Sequence, residues 1–236
     1  MKIRGQRECK ACGTQWSYYE TGETSCPSCG SHHSVGTDDE RTLHTATSAT
    51  LDLTPLRGNV DSEPIGRLAD RASDRARGFT RGYGFIDAGR LRPLDDAYLA
   101  AMELKHVAAE LGRRLTVDED EEWYFSGLLR ADEGDRPDND SVPRSLRAAR
   151  GLACANAVRE YRADLRSYVQ EHPDSAVDGA LERLGTHIKR IRALDGDVPP
   201  PEAERLVAAA RSIGRYLIDG DEGELTLAES RLDSLE

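Results

Sequence analysis

The sequence has few lysines, few aromatic residues and no long apolar run. Four of its 32 cationic residues are lysines, and aromatic residues make up 6% of its 236 positions. No run of apolar residues approaches the roughly 18 needed to cross a bilayer. The N-terminal residues MKIRGQREC lack the apolar segment of a signal peptide. These absences predict a cytoplasmic protein that does not enter a membrane.

The chain is strongly acidic, with 43 aspartates and glutamates and a net charge of −11. Non-specific attraction to nucleic acid or to an anionic membrane is therefore not expected. An excess of carboxylates with scarce lysine is typical of proteins from salt-loving archaea. At molar salt the Debye length is only about 3 Å, so any ionic contact would have to act at short range.

Two Cys-x-x-Cys pairs stand near the N-terminus, and each is followed at once by a glycine. An odd total of five cysteines in a reducing compartment argues against a disulfide framework. Four thiolates in two tight turns match the tetrahedral coordination of structural zinc, which leaves no open position for a catalytic water. The predicted ligands of one Zn²⁺ ion are Cys9, Cys12, Cys26 and Cys29.

Iron binding and redox chemistry are the alternatives to zinc at these cysteines. A rubredoxin-type iron site takes the same four sulfurs, so iron stays open at this point. A redox Cys-x-x-Cys normally accompanies a βαβ pattern, which the sequence does not show. His32 and His33 follow the second pair directly, but four cysteines already complete a site, so we expect both histidines to be exposed and non-ligating.

The residues between the pairs, TQWSYYETGETS, predict a β-hairpin with Thr-Gly at its tip. Together with Gly13 and Gly30, the four cysteines resemble the zinc-ribbon superfamily, in particular the ribbon at the head of archaeal transcription factor B. This resemblance covers residues 9–30. Residues 4–41 also resemble a group of haloarchaeal zinc-ribbon proteins, from which there is no activity to carry over. The resemblance implies a small β module that holds zinc.

Aromatic and basic residues of this module are candidates for contact with nucleic acid or a partner. Arg7, Lys10, Trp16 and Tyr19 are the candidates, because aromatic rings beside cations can stack on bases. The alternative is that the rings pack inside the module and shield the metal. Strand alternation predicts Trp16 and Tyr18 on one face and Tyr19 on the other, so at most one or two rings face outward.

A second candidate contact surface lies far along the chain, in the segment GTHIKRIR. Helical spacing places Arg183, His187 and Arg190 on one side of a helix, where they would suit a phosphate or an acidic partner. The alternative, which we favour, is a solvated face whose cations pair with nearby carboxylates.

The predicted fold class is mainly α: a small β zinc ribbon at residues 1–33, a polar linker at 34–63 and a helical bundle at 64–236. A short strand is expected at 50–53. Apolar residues recur at helical spacing through the bundle segment, and short connections favour antiparallel neighbours. The predicted core includes Leu104, Leu111, Tyr161, Leu165, Leu184, Ile188, Ile191 and Leu206. Because the linker is polar, we expect the ribbon to fold independently of the bundle.

One further segment, RGYGFIDA at residues 81–88, matches much of an RNA-recognition signature. That signature has meaning only on a four-stranded sheet, and the surrounding residues predict helices. The preferred interpretation is a glycine-rich connector in which Tyr83 and Phe85 are packing anchors.

Three hypotheses for function follow from these patterns. The first is a non-enzymatic zinc protein whose ribbon docks on nucleic acid or transcription machinery, with a helical body for partner contacts. The second is a protein–protein adaptor or accessory subunit in which zinc is purely structural. The third, less favoured, is an enzyme whose site forms only in three dimensions. No catalytic motif is present in the sequence, so a small-molecule substrate is not expected.

Overall fold

The computed structural model describes residues 1–60 and 62–235, and its fold is mainly α, as predicted. The helices described are α1 (Tyr18–Thr21), α2 (Thr54–Arg57), α3 (Ile65–Gly82), α4 (Asp96–Leu111), α5 (Glu119–Leu128), α6 (Arg147–Glu171), α7 (Asp178–Ala193), α8 (Pro200–Asp219) and α9 (Glu222–Asp233). The strands are β1 (Lys2–Ile3), β2 (Gln6–Cys9), β3 (Gln15–Ser17), β4 (Ser34–Gly36), β5 (Thr42–Leu43), β6 (Ile86–Asp87) and β7 (Arg90–Leu91). Helices α3–α9 all lie within residues 64–236, the segment predicted to be helical.

The N-terminal residues form a three-stranded antiparallel sheet with β2 in the centre, between β3 and β4. Arg7 pairs with Trp16 on one side of β2, and Glu8 pairs with Val35 on the other. Strands β2 and β3 therefore form a hairpin around the first cysteine pair. The predicted hairpin, which would lie between the two cysteine pairs, does not form, so that prediction is wrong. The reason is local: the first Cys-x-x-Cys turn itself reverses the chain. We call residues 6–36 the cysteine module.

The segment predicted as a polar linker is packed against its neighbours in the structure. Its first residues form β4 of the cysteine module, and β5 pairs with β1. No strand forms at 50–53, so that prediction is wrong; Leu53 instead precedes α2 and is fully buried with Leu56. Isolated leucines in a polar segment thus reach the core. The division into domains stays a prediction, and Asp61 and Glu236 lie outside the described residues.

The helical body, which we define as α3–α9, is organised around α4. One face of α4 packs with α2, α3 and α5 through a cluster that includes Leu104 and Leu111. Its other face contributes Tyr98 to a second cluster with α6, α7, α8 and α9. All eight residues of the predicted core are buried. Because α4 is buried on both faces, its sequence is apolar nearly all round.

The helix boundaries follow from local sequence signals. The carboxylate of Asp95 accepts from the backbone N–H of Tyr98 at 2.7 Å and caps α4. In α5 the side chain of Glu121 reaches back to the N–H of Asp118 at 3.0 Å. Pro200 occupies the first position of α8, where it has no hydrogen bond to lose. Gly220 ends that helix with φ of 73°, a left-handed conformation that glycine adopts without strain.

The segment that matches the RNA-recognition signature runs from the end of α3 into the two-residue strand β6, which among the described strands pairs with β7 alone. The Phe85 ring lies 4.9 Å from the ring of Tyr98 and 4.8 Å from that of Tyr161, between centroids. Phe85 is buried and Tyr83 is half-buried. Both rings therefore serve as packing anchors, and the segment does not present them on a sheet surface.

Across the described residues, the helices are too short or too polar to cross a membrane.

Candidate metal centre

The two Cys-x-x-Cys turns adopt the same backbone geometry. In the first turn the N–H of Gly13 donates to the carbonyl of Cys9 at 2.9 Å, and in the second Gly30 donates to Cys26 at the same distance. Both glycines have left-handed φ angles, 76° and 71°. A side chain at either position would be strained, because only glycine adopts this conformation at no cost. The glycine after each cysteine pair is thus required by the turn.

The two turns bring four sulfur atoms to one point. The Sγ atoms of Cys9 and Cys29 lie 3.7 Å apart, and those of Cys12 and Cys26 lie 3.6 Å apart. All four ligand atoms fall within 4.8 Å of one another. A tetrahedron with Zn–S bonds of about 2.3 Å has S···S edges of about 3.8 Å. The four cysteines could therefore hold a metal ion, and their spacing fits tetrahedral thiolate coordination.

The thiols of this cluster differ in acidity. Hydrogen bonds from the side chain and backbone of Thr14 lower the pKa of Cys12 to about 6. The N–H of Ser31 acts in the same direction on Cys29, but the neighbouring thiols and burial raise the pKa of Cys29 to about 12. The first thiol of the cluster ionises easily, and the negative charge of its thiolate then opposes ionisation of the next thiol. A cation at the centre would remove that opposition and stabilise all four thiolates.

One side of the cluster is covered by Trp16. The indole packs with Cys9 and Cys26, and all three side chains are buried. The Trp16 Nε1–H donates to the carbonyl of Glu23 at 3.1 Å, which satisfies its polar atom. Cys12 and Cys29 are exposed on the opposite side. Trp16 thus shields the sulfur cluster. This is the alternative in which the ring packs inside the module and does not stack on a base.

Tyr18 and Tyr19 do not alternate on a strand as predicted, because the chain turns into the short helix α1 after β3. Both rings contact the ring of His44, at centroid distances of 6.0 and 4.8 Å. Tyr19 also lies against the backbone at Gly5, where a Cβ atom would come within 1.9 Å of its ring. The two tyrosines are half-buried and face the rest of the molecule.

The basic candidates of the module have partners within it. Arg7 donates through Nε and Nη2 to the hydroxyl of Ser34, at 3.1 and 2.8 Å, and this links β2 to β4. Lys10 is exposed and forms an ion pair with Glu8 at 2.7 Å. His32 and His33 are exposed, and the metal cluster found among the described residues consists of the four cysteines. Lys10 is thus the candidate with the most accessible charge.

A second group of contacts joins the N-terminus to the helical body; we call residues 42–46 and 86–91 the junction. The N–H groups of Thr45 and Ala46 donate to the carbonyl of Ile86 at 2.8 and 2.9 Å. The Thr45 hydroxyl donates to Asp164 on α6 at 2.7 Å. His44 accepts at Nδ1 from the N–H of Ala88 at 3.1 Å. No sequence pattern marks this junction, because the contacts that form it are mostly backbone hydrogen bonds between distant segments.

The second predicted contact surface lies on α7. Arg183 forms an ion pair with Asp233, and Arg190 forms one with Glu202. His187 is buried, with 6% of its surface exposed. The two cations pair with carboxylates of neighbouring helices, as the favoured alternative described. A role of this surface in binding a partner stays a prediction.

A buried ionic network lies at the centre of the helical body and was not found from the sequence. Glu103 on α4 is fully buried and bonds to Arg136, Arg150 and the hydroxyl of Tyr124. Arg150 also pairs with Glu204 on α8 at 3.0 Å. The network ties α4, α5, α6 and α8 together. Its members are far apart in the chain, so no spacing pattern marks them.

Cys154 lies beside this network and is separate from the metal cluster. Its Sγ accepts from Arg136 at 3.1 Å, and the side chain is fully buried. Burial raises the pKa of Cys154 to about 12. The thiol is therefore protonated and shielded, and it packs as a core residue.

The fold and the cluster together define a mainly α-helical protein with an N-terminal module whose four cysteines could hold a metal ion. The chain belongs to the family described as "Family of unknown function (DUF7117)", whose model matches residues 1–232. That match covers the cysteine module and the helical body together. No curated protein and no solved structure matches the chain. The likeness to the zinc-ribbon superfamily is compatible with the cluster and stays a prediction.

Proposed function

We propose that this chain is a non-enzymatic adaptor or accessory protein in which one structural Zn²⁺ ion fastens the N-terminal sheet to a helical body that contacts a protein partner. Zinc is the ion that four cysteines in two Cys-x-x-Cys turns most commonly hold in a closed structural site. The observation that carries the proposal is the position of the aromatic rings. Trp16 covers the sulfurs, and Tyr19 lies on His44.

The rival hypothesis, a ribbon that docks on nucleic acid, requires exposed rings beside free cations. Trp16 is buried, Arg7 is held by Ser34, and Lys10 is paired with Glu8. The net charge of −11 also opposes binding to a polyanion. These contacts favour a structural role for the module, in which it fastens the N-terminal sheet to the helical body (the stapling role), over docking on nucleic acid.

The partner contact is assigned to α5, where Trp123 has 69% of its surface exposed. Tryptophan is enriched among residues that dominate binding energy at protein interfaces. Three exposed carboxylates surround it on the same helix: Glu119, Asp120 and Glu122. The complementary partner is a protein surface with an apolar pocket and basic residues around it.

The stapling role is tested by elemental analysis followed by hydrogen exchange with and without a chelator. We expect one zinc per chain. Removal of the metal should speed amide exchange in the cysteine module and also in the junction, because His44 loses the ring contacts of Tyr18 and Tyr19. Core amides of α8 are the internal control and should keep their protection. Iron in place of zinc, or faster exchange confined to 6–36, would contradict the proposal.

The partner contact is tested by capture from native extract, scored for protein and for nucleic acid. Protein bound by the natural chain should be lost with Trp123→Ala. It should be retained with Leu227→Ala, a control in which the lost side chain is also exposed but lies on α9. Capture of nucleic acid that depends on Lys10 would support the docking hypothesis instead.

A further inference from the structure

A cleft of about 530 Å³ opens in the helical body between α3, α4, α6 and α7. Its size falls within the range of small-molecule sites, roughly 300–1,000 Å³. The charged residues that line it are Arg77, Arg81, Lys105, Arg159, Arg192 and Glu160. Five cations thus face one carboxylate in a protein whose overall charge is −11. We call this the basic cleft.

Three of these cations have no carboxylate partner among the residues that the structure describes: Arg81, Lys105 and Arg192. In the described part of the chain, the Lys105 ammonium group has one hydrogen-bond contact, to the thioether of Met102 at 3.9 Å. The carboxylate in the cleft, that of Glu160, is already bonded by Arg159 at 3.1 Å. Arg77 is also paired, with Asp74 at 3.6 Å, so three of the five cations that line the cleft have no carboxylate partner among the described residues.

The cations of the cleft lie close enough to repel one another. Burial lowers the pKa of Lys105, and although Glu160 opposes this, the charges of Arg77, Arg159 and Arg81 lower it further. Burial of His106, reinforced by the charge of Lys105, lowers the pKa of its imidazole to about 4, so this wall of the cleft holds a neutral ring at pH 7. A bound anion would relieve this repulsion.

One residue that lines the cleft carries an unsatisfied hydrogen-bond donor. Tyr98 lines the cleft and is fully buried, and its hydroxyl has no hydrogen-bond partner in the described part of the chain. Burial raises the pKa of Tyr98, so the hydroxyl stays protonated. A buried hydroxyl without an acceptor costs about 1–3 kcal/mol, which an acceptor entering the cleft would recover.

We propose that the basic cleft is a binding site for a small phosphorylated molecule that carries two or more negative charges. The guanidinium groups of Arg81 and Arg192 present planar forks that match phosphate oxygens. They come from two helices, α3 and α7, and Lys105 on α4 adds a third charge to the lining of the cleft. The site is separate from the cysteine module and does not depend on the proposed stapling or adaptor role.

Isothermal titration calorimetry on the full chain tests the proposal, with inorganic pyrophosphate and ATP as probes. We expect at least one probe to bind with a stoichiometry of one. Loss of one charge-assisted contact in Arg81→Gln or Arg192→Gln should weaken binding roughly 10- to 100-fold. The matched control is Arg67→Gln, because Arg67 is also exposed on α3 but lies outside the cleft. It should bind as the natural chain does.

The stability of the variants separates binding from folding. Without a probe, Arg81→Gln should melt at the same temperature as the natural chain or slightly above it, because it removes repulsion. With the probe, the natural chain should gain melting temperature and Arg81→Gln should gain less. Absence of binding by both probes, equal weakening by Arg67→Gln, or citrate binding as tightly as pyrophosphate would each overturn the proposal. So would binding of an oligonucleotide in place of both probes.

Discussion

Replacement of Cys26 by serine removes one of the four sulfurs that could hold the metal, and the structure predicts how far the damage spreads. The cysteine module has one small buried cluster, Cys9, Trp16 and Cys26. A module with so little core would depend on the proposed metal ion to fold, so we expect Cys26→Ser to unfold residues 6–36. The helical body has two large clusters of its own and should remain folded.

The body should nevertheless lose stability, by an amount that the contacts set. The Tyr19–His44 ring contact is worth about 0.5–1.5 kcal/mol, and the Tyr18–His44 contact adds a similar or smaller term. Together these two ring contacts amount to about 0.5–3 kcal/mol. At about 2–4 °C per kcal/mol for a chain of this size, the main melting transition should fall by about 1–12 °C.

Circular dichroism at 222 nm measures both effects, with the natural chain plus chelator as a second route to the same state. Helical content should change little, since α1 is the one described helix inside the module. The control is His33→Ala, which removes an exposed, non-ligating side chain within the module and should leave metal binding and the melting temperature unchanged. An unchanged main transition in Cys26→Ser would refute the coupling through His44. Complete loss of helix would refute an independently stable body.

Three further predictions concern the helical body. Ile188→Ala should lower the free energy of unfolding by roughly 2–5 kcal/mol in urea denaturation, because the side chain is buried; a loss below half a kcal/mol would mean that this face is exposed. Glu103→Ala should cost about 3–5 kcal/mol by removing the fully buried carboxylate that Arg136 and Arg150 share with Glu204, whereas Arg113→Ala at an exposed ion pair should cost less than about 1 kcal/mol; equal losses would contradict the buried network. His106 has a folded pKa of about 4, below its unfolded value near 6.5. Its contribution to stability is therefore complete above pH 6.5 and is lost, by about 3 kcal/mol, as the pH falls to 4. Denaturation of His106→Gln across this range should show a correspondingly smaller loss, and identical slopes would contradict the assignment.

The cysteine turns, the helices and the buried core positions depend on local spacing, so they could be predicted from the sequence alone. A cysteine pair and its glycine lie within five residues, so the turn geometry at Gly13 and Gly30 is fixed by neighbours along the chain. The helices are also local, because an apolar residue every three or four positions selects the 3.6-residue period. For the same reason the predicted core residues, Ile188 among them, were found to be buried.

The contacts between segments that are distant in the chain could be found only from the folded structure. Strand β4 joins the cysteine module through backbone hydrogen bonds, which any polar sequence can form, so nothing in residues 34–36 marked them as part of its sheet. Leu53 is buried, but it lies in a polar stretch where no helical spacing of apolar residues indicates burial. The cations of the basic cleft come from four helices, and each alone is an ordinary surface arginine or lysine. Their meaning arises where α3, α4, α6 and α7 converge, because the repulsion between like charges depends on distance in space and not on separation along the chain.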